Sequence, residues 1–195
     1  HGWKPETGFL PYRYEGYDEG LLLYLLALGS PTHPLPPESY NAYCATYQWK
    51  EIYGRELLYS GPLFTHQLSH LWIDFRGIRD AFMRERGSDY FENSRQATFV
   101  QQEYAIRNPL GFEGYGEHCW GFTACDGPGW IKRAVNGVER QFFGYIARGA
   151  PFGPDDGTVA PWVVVASLPF APEIVIPTVR QFARLNLGMT APYGF

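Results

Sequence analysis

Residues Tyr12 to Gly29 read YRYEGYDEGLLLYLLALG. The first half is polar and acidic, with Glu15, Asp18 and Glu19 set among Tyr12, Tyr14 and Tyr17. The second half, Leu21 to Leu28, is apolar on every side apart from the Tyr24 hydroxyl. A helix that is apolar all round is expected in a core. This one is too short to cross a bilayer, which takes about 20 apolar residues. Gly29 suits a left-handed helix stop, and Pro31 lies just beyond it. The carboxylates are therefore expected at the N-terminal mouth of a buried helix. A helix N-terminus favours negative charge by roughly 0.3–1 kcal/mol, whereas burial among tyrosines and crowding of acids oppose ionisation. Carboxyls in such divided surroundings can part into one acid and one base. The plainer alternative is that Asp18 and Glu19 only cap the helix.

The rest of the composition narrows the function. A chain of 195 residues suits one domain or a large piece of one. Its formal charge of -4 argues against a nucleic-acid or anionic-membrane surface, which would want a basic patch. Charged residues make up only 18%, while aromatics reach 17%. So many rings fit either a thick core or a cleft walled by flat faces, against which the C–H faces of sugars stack. The three cysteines, Cys44, Cys119 and Cys125, form no CxxC pair, so a four-ligand zinc site is not expected. Free buried thiols are expected, with a Cys119–Cys125 bridge as the alternative. No signal peptide or membrane-spanning stretch is found. The chain opens on His1-Gly2 and closes on Pro192-Tyr193-Gly194-Phe195, and is read as a trimmed or partial chain.

Outward from the central stretch, Gly2 to Pro11 reads as a loop. Pro36 and Pro37 open a helix running to about Trp49, with a Tyr40, Tyr43, Cys44, Tyr47 stripe taken as core packing. Between Ser60 and Arg76, four-residue steps put His66, His70 and Asp74 on one helix face. That resembles a metal face, but the motif lacks the acidic partner of a metalloprotease. Core histidines are the expectation, with no metal and no cofactor. Arg76, Arg79 and Asp80 are read as surface or hinge pairs. Asp89 to Arg107 is a strong helix, with an Asp89/Glu92 capping box. Tyr90, Ala97, Val100, Tyr104 and Ala105 form its apolar face, Gln, Arg and Glu the other, and Asn108-Pro109 the stop.

Gly111 to Trp130, GFEGYGEHCWGFTACDGPGW, is dense in glycine and aromatics. Its backbone is expected to pass close to a neighbour. Glu117, Trp120 and Asp126 are of sugar-handling type, and loops carry function more often than core helices do. The alternative is a structural crossover whose charges face water. Asn136-Gly137 predicts a hairpin, and Asp155-Asp156 sits in a loop before a turn. Thr158 is expected to cap a helix over Val159–Ser167, and a last helix runs to about Asn186, with Pro177 starting or kinking it. The rhythm is mostly α, with no βαβ units and no internal repeat. Inner helices buried by outer ones describe an α/α toroid, of which a complete one needs roughly twice this chain.

Five blocks carry a family resemblance: GWKPETGFLPYRYEGYDEGLLLYLLALGSPTHPLP, GPLFTHQLSHLWIDFRGIRDAF, DYFENSRQATFVQQ, GYGEHCWGFTACDGPG and APWVVVASLPFAPE. In this order they resemble the bacterial glucoamylase-like domain of glycoside hydrolase family 144, the β-1,2-glucan hydrolases, with relatives inside cyclic β-1,2-glucan synthases. The resemblance covers nearly the whole chain. It implies an (α/α)6 toroid, of which residues 1–195 form the C-terminal half of a single incomplete domain, with the N-terminal half of the toroid as its partner. It implies inverting hydrolysis of a β-linked glucan, most simply β-1,2-glucan or its oligosaccharides, and export to the periplasm or beyond. The alternatives are a transglycosylating synthase domain or a carbohydrate-binding half-domain without catalysis.

In the family the glutamate of the GYDE block is the expected acid catalyst, which falls on Glu19, with Asp18 as the neighbouring acid. Glu117 or Asp126 are then candidates for the base or for sugar hydroxyls. Tyr17, Trp72 and Trp120 are candidate stacking walls, and His66 and His70 candidate donors to sugar hydroxyls. Glu15 joins the binding candidates, although the resemblance assigns it nothing.

Overall fold

A computed structural model of the chain describes residues 2–12 and 15–185. Tyr14, His1, the closing Pro192–Phe195 and the expected helix end at Asn186 lie outside the described residues. Among the described residues the architecture is helix-rich, with short two-stranded antiparallel sheets. No described helix is long and apolar enough to cross a membrane.

The spine is the helix Tyr90–Arg107, the longest of the described elements. In chain order it is α4, after α1 (Leu21–Leu28), α2 (Pro37–Cys44) and α3 (Ala81–Glu85). The Asp89 carboxylate accepts the Glu92 N–H at 2.8 Å, as the capping box predicts. The reciprocal half of the box is not made, because the Glu92 carboxylate accepts from Gln96 Nε2 instead. At the other end Asn108 turns left-handed and returns its N–H to the Tyr104 carbonyl at 2.8 Å. The apolar stripe is buried as expected. Tyr90 packs into one cluster with Tyr17, Leu21, Tyr43 and Phe75, and Ala97, Val100, Tyr104 and Ala105 into another with Trp120, Phe122 and Val163. Thus α4 joins two cores.

Its other face departs from the expectation. Gln101 and Gln102, with Asn93 and Ser94, are buried. Gln101 Nε2 donates to the Gly61 and Phe122 carbonyls, and its oxygen accepts from Phe122 N at 2.7 Å. Asn93 accepts from Leu58 N, also at 2.7 Å. Irregular backbone buried beside a helix needs partners for its polar groups, and these side chains supply them.

Helix α1 forms over the expected residues, but it is not buried all round. Leu21 is 2% exposed, whereas Leu23 and Leu26 are each 66% exposed. On its packed side Leu21 joins the cluster of Tyr17 and Phe75, and Tyr24 packs on Tyr40 and Tyr43 of α2. Gly29 ends the helix with φ −82°, in the ordinary right-handed range rather than the expected left-handed one. The proline-rich segment folds back there, where Leu35 N donates to Ala27 O.

Gly2 to Pro11, expected as a loop, forms a minimal pair of strands β1 (Trp3–Lys4) and β2 (Gly8–Phe9). Helix α2 stops at Cys44, short of the expected Trp49. The chain instead makes a hairpin of β3 (Trp49–Ile52) and β4 (Arg55–Leu58), turning on Tyr53 and Gly54, both at positive φ. The helix expected to align His66, His70 and Asp74 is two short 3-10 turns, Leu63–His66 and Leu68–Leu71. The expected single face is therefore absent, and Asp74 lies exposed, bonded to Arg76 Nε at 2.9 Å. Asp80 is no surface pair: it caps α3 through Met83 N and accepts the Tyr90 hydroxyl.

After α4 the strand β5 (Ala124–Cys125) pairs with β8 (Ile146–Ala147). Between them the expected hairpin forms, β6 (Ile131–Val135) and β7 (Val138–Phe142) turning on Asn136-Gly137. The glycine loop does press on its neighbours. A Cβ at Gly121 would lie 2.8 Å from Val164, and one at Gly127 2.5 Å from the Phe143 carbonyl oxygen. Helix α5 (Pro161–Ala166) is flanked by Ala160, not capped by Thr158. Thr158 N donates to Asp156 instead. Helix α6 (Pro172–Leu185) starts at Pro172 and contains Pro177 within it. The cysteines are free thiols, Cys44 buried and the other two partly so.

Candidate active site

The acids of the opening stretch line one cleft of about 490 Å³. That size is within the range of small-ligand sites. Glu15, Asp18 and Glu19 face it, together with Leu23 and Tyr24 of α1 and Ser39, Tyr43 and Thr46 from α2 and its end.

Local structure explains the placement. Gly16 takes φ +87°, and its N–H donates to Thr46 Oγ1 at 2.8 Å, pinning the loop to the end of α2. Tyr17 then plunges into the core, stacked on Tyr90 at 5.9 Å and set against Tyr47 and His66. With Tyr17 inward, its neighbours Asp18 and Glu19 reach the cleft. Asp18 Oδ1 accepts the Gly20 N–H at 2.7 Å and also the Tyr43 hydroxyl. Burial, followed by that contact with Asp18, pushes the Tyr43 phenol far above its ordinary value, so it stays a proton donor. Neither acid caps α1 directly. Ser69 does so, accepting Leu22 N at 3.3 Å and donating to the Glu19 carbonyl at 3.2 Å. Among the described residues nothing donates to the Glu15 or Glu19 carboxylate.

The other candidates lie elsewhere. Tyr17 is 3% exposed and Trp120 0% exposed, so neither offers a ring face to a sugar. The Trp120 indole donates to Thr178 Oγ1 at 3.0 Å within the core. His66 is buried, with Nε2 on the Ser60 carbonyl at 3.2 Å and Nδ1 facing Asn93 Nδ2 at 3.3 Å. Burial lowers both His66 and His70 to about 4, so both are neutral at pH 7. His70 reaches Ser94 Oγ at 3.0 Å between the rings of Phe75 and Phe170. These two serve the core. Trp72 is 74% exposed and open to stacking, but does not line the cleft.

Glu117 and Asp126 are exposed and also lie outside the cleft. The Glu117 carbonyl hangs from Gln102 Nε2 at 2.8 Å, whereas Tyr17 packs on Tyr90 at the opposite end of α4. Between Tyr90 and Gln102 run roughly 18 Å of helix. Glu117 is therefore not brought to Glu19.

The structure adds two residues to the site, Tyr24 and Tyr43, stacked on each other at 4.4 Å. Tyr43 belongs to the stripe read as core packing, and its ring is indeed buried. The signal in the sequence was chemical rather than periodic: a stripe of phenols in place of leucines, opposite a lone phenol in α1.

The family model described as "Putative glucoamylase" matches residues 11–195. The exo β-1,2-glucooligosaccharide sophorohydrolase of Parabacteroides distasonis is 28% identical over 221 residues, covering 99% of this chain and 28% of that protein. A solved Bacteroides uniformis structure with the same description as the family model superposes with TM-score 0.82 at 30% identity, over 99% of this chain and 45% of its own. The endo-β-1,2-glucanase of Chitinophaga pinensis, solved with sophorotriose and glucose, gives 0.79 at 28% identity over 99% and 45%. The chain spans less than half the length of each of these relatives. With the match running over nearly all its residues, the chain belongs to the glycoamylase family, as its resemblance to glycoside hydrolase family 144 implies.

Proposed function

We propose that this chain carries catalytic groups of a glycoside hydrolase that cleaves β-1,2-linked glucan or its oligosaccharides. The observation that carries the proposal is the convergence of Glu15, Asp18 and Glu19 on one cleft beside Tyr24 and Tyr43. Glycoside cleavage by inversion takes a carboxylic acid to protonate the leaving oxygen and a carboxylate to activate water, about 6.5–9.5 Å apart. Glu19 is assigned as the acid. Asp18 replaces Glu117 and Asp126 as the candidate base, because it shares the cleft. The water oxygen bonds to the anomeric carbon as its proton passes to Asp18. The glycosidic bond breaks as Glu19 gives its proton to the leaving oxygen. Glu15 is assigned to sugar hydroxyls. The β-1,2 linkage is carried over from the relatives, which are named for it.

The same proposal places the chain as the C-terminal half of an (α/α)6 toroid, one incomplete domain of a longer protein. The exposed Leu23 and Leu26 face of α1 supports it, as do relatives more than twice as long. An N-terminal half would cover that face and contribute further cleft wall. Export to the periplasm or beyond is carried over from the resemblance alone. The test is incubation of the full-length protein carrying this chain with linear β-1,2-glucan, followed by product chromatography. Short linear oligosaccharides with water-terminated reducing ends support the proposal. Cyclised or elongated products would make the domain a transglycosylase, and binding without turnover a carbohydrate-binding module.

A further inference from the structure

Asp18 differs from its two acidic neighbours in having one oxygen tied and one spare. Oδ1 accepts from the Gly20 backbone and from the Tyr43 hydroxyl, whereas no described residue donates to Oδ2. Two donors on one oxygen fix the plane of a carboxylate that a single rotatable bond would otherwise let swing. The second donor comes from a different element, so it also ties the loop to α2. Tyr43 is itself held on both sides, stacked on Tyr24 at 4.4 Å and edge-on to Tyr47 at 5.0 Å. Thr46 at the end of the same helix holds Gly16, two residues before Asp18. A cluster built only to bury rings would not need a phenol at 43, because phenylalanine fills the same space.

We propose that Tyr43 is a positioning residue for the reaction: its hydroxyl holds Asp18 so that Oδ2 faces the cleft. This rests on the hydrolase assignment above. Catalytic groups displaced by about 1 Å lose rate by as much as a hundredfold, so the hydroxyl is expected to act on turnover rather than on binding.

The test uses the full-length protein and linear β-1,2-glucan. Tyr43→Phe keeps the ring stack and removes the hydroxyl. It is expected to lower kcat by roughly 10- to 100-fold with KM within about twofold. On an Asp18→Ala background the same change is expected to do almost nothing, since coupled residues lose additivity. Equal losses in both backgrounds would mark a merely structural role and overturn the proposal, as would a Tyr43→Phe enzyme at full kcat. If Asp18→Ala turns over too slowly to follow, a crystal structure of the Tyr43→Phe variant decides. The Tyr24 stack should persist while the Asp18 carboxylate rotates, and an unmoved carboxylate overturns the proposal. Glu19→Gln runs alongside: full activity there sinks the assignment of Glu19 as the acid, no product from the unmodified protein sinks the hydrolase reading itself, and loss in Glu19→Gln with Tyr43→Phe unaffected sinks only the positioning role.

Discussion

Asp156 and Glu19 are both carboxylates set in glycine-punctuated loops, yet their surroundings are opposite. Asp156 is fully buried with Arg148, whose Nε and Nη2 each lie 2.7 Å from its oxygens, and Phe143 N and Thr158 N donate as well. Arg148 spends its remaining donors on the carbonyls of Cys125, Phe143 and Gly144. Next to it, Asp155 accepts from Tyr104, Tyr115 and Gly157 N. In that knot the acids are consumed by the fold. In the cleft Glu15 and Glu19 have no described donors, and Asp18 keeps one oxygen free. Leaving a buried polar group unpaired costs free energy, so saturated acids mark architecture. Unsaturated acids on an open cleft are left for something else to satisfy.

The comparison can be broken at either end. The largest effect is expected at the cleft. Glu19→Gln should lower glucan hydrolysis by roughly 10²- to 10⁴-fold while thermal melting stays where it was. A large loss of stability with it would mean that Glu19 belongs to the fold after all. At the knot the outcome reverses. Arg148→Met strands a buried carboxylate, which typically costs about 3–5 kcal/mol, read as the shift in urea unfolding. A change below about 1 kcal/mol would show that water reaches Asp156.

A smaller effect sharpens the same line at Trp120. Trp120→Phe removes the indole bond to Thr178 and should cost about 1–3 kcal/mol, with KM for glucan unchanged. A rise in KM with stability intact would return Trp120 to the sugar wall. A further effect is in mild acid. His66 and His70 are held neutral by burial, which lowers both from 6.5 to about 4. Below 6.5 the unfolded chain takes up protons that the folded one refuses, so stability should fall from pH 6.5 to about 4. Asp156 works at lower pH. Burial pushes its carboxyl up, but the bonds from Arg148, Thr158 and Phe143 N outweigh that and hold it at about 2. Its contribution is therefore complete above 3.8 and is lost between 3.8 and about 2. Calorimetry across that range should show both steps, and His66→Gln should weaken the first. A level profile from pH 6.5 to 4 would contradict the neutral burial of the two histidines.

How much of this was legible depended on whether the signal was local. Helix α4 was legible because its cap, stripe and stop lie within its own residues: Asp89, the Tyr90-to-Ala105 spacing and Asn108. The β6–β7 turn was legible because Asn136-Gly137 favours positive φ at both positions. The β3–β4 turn was missed because Tyr53-Gly54 carries only half of that signal. The His66/His70 spacing misled, since four-residue steps share a face only if the backbone is α-helical, and it is not. In the site, the acids at the mouth of α1 were legible as a group. Their separation from Glu117 was not, because the length of α4 between them is a tertiary fact. The buried glutamines of α4 were misassigned to the solvent side for a similar reason: their partners are backbone groups far away in sequence.

The most direct measurement compares the full-length protein with its Glu19→Gln variant on linear β-1,2-glucan, by chromatography of products over time. Short oligosaccharides from the unmodified protein and none from an equally folded variant are the predicted result. Equal product from both would contradict the assignment of the acid, and no product from either would contradict the glucan hydrolase itself.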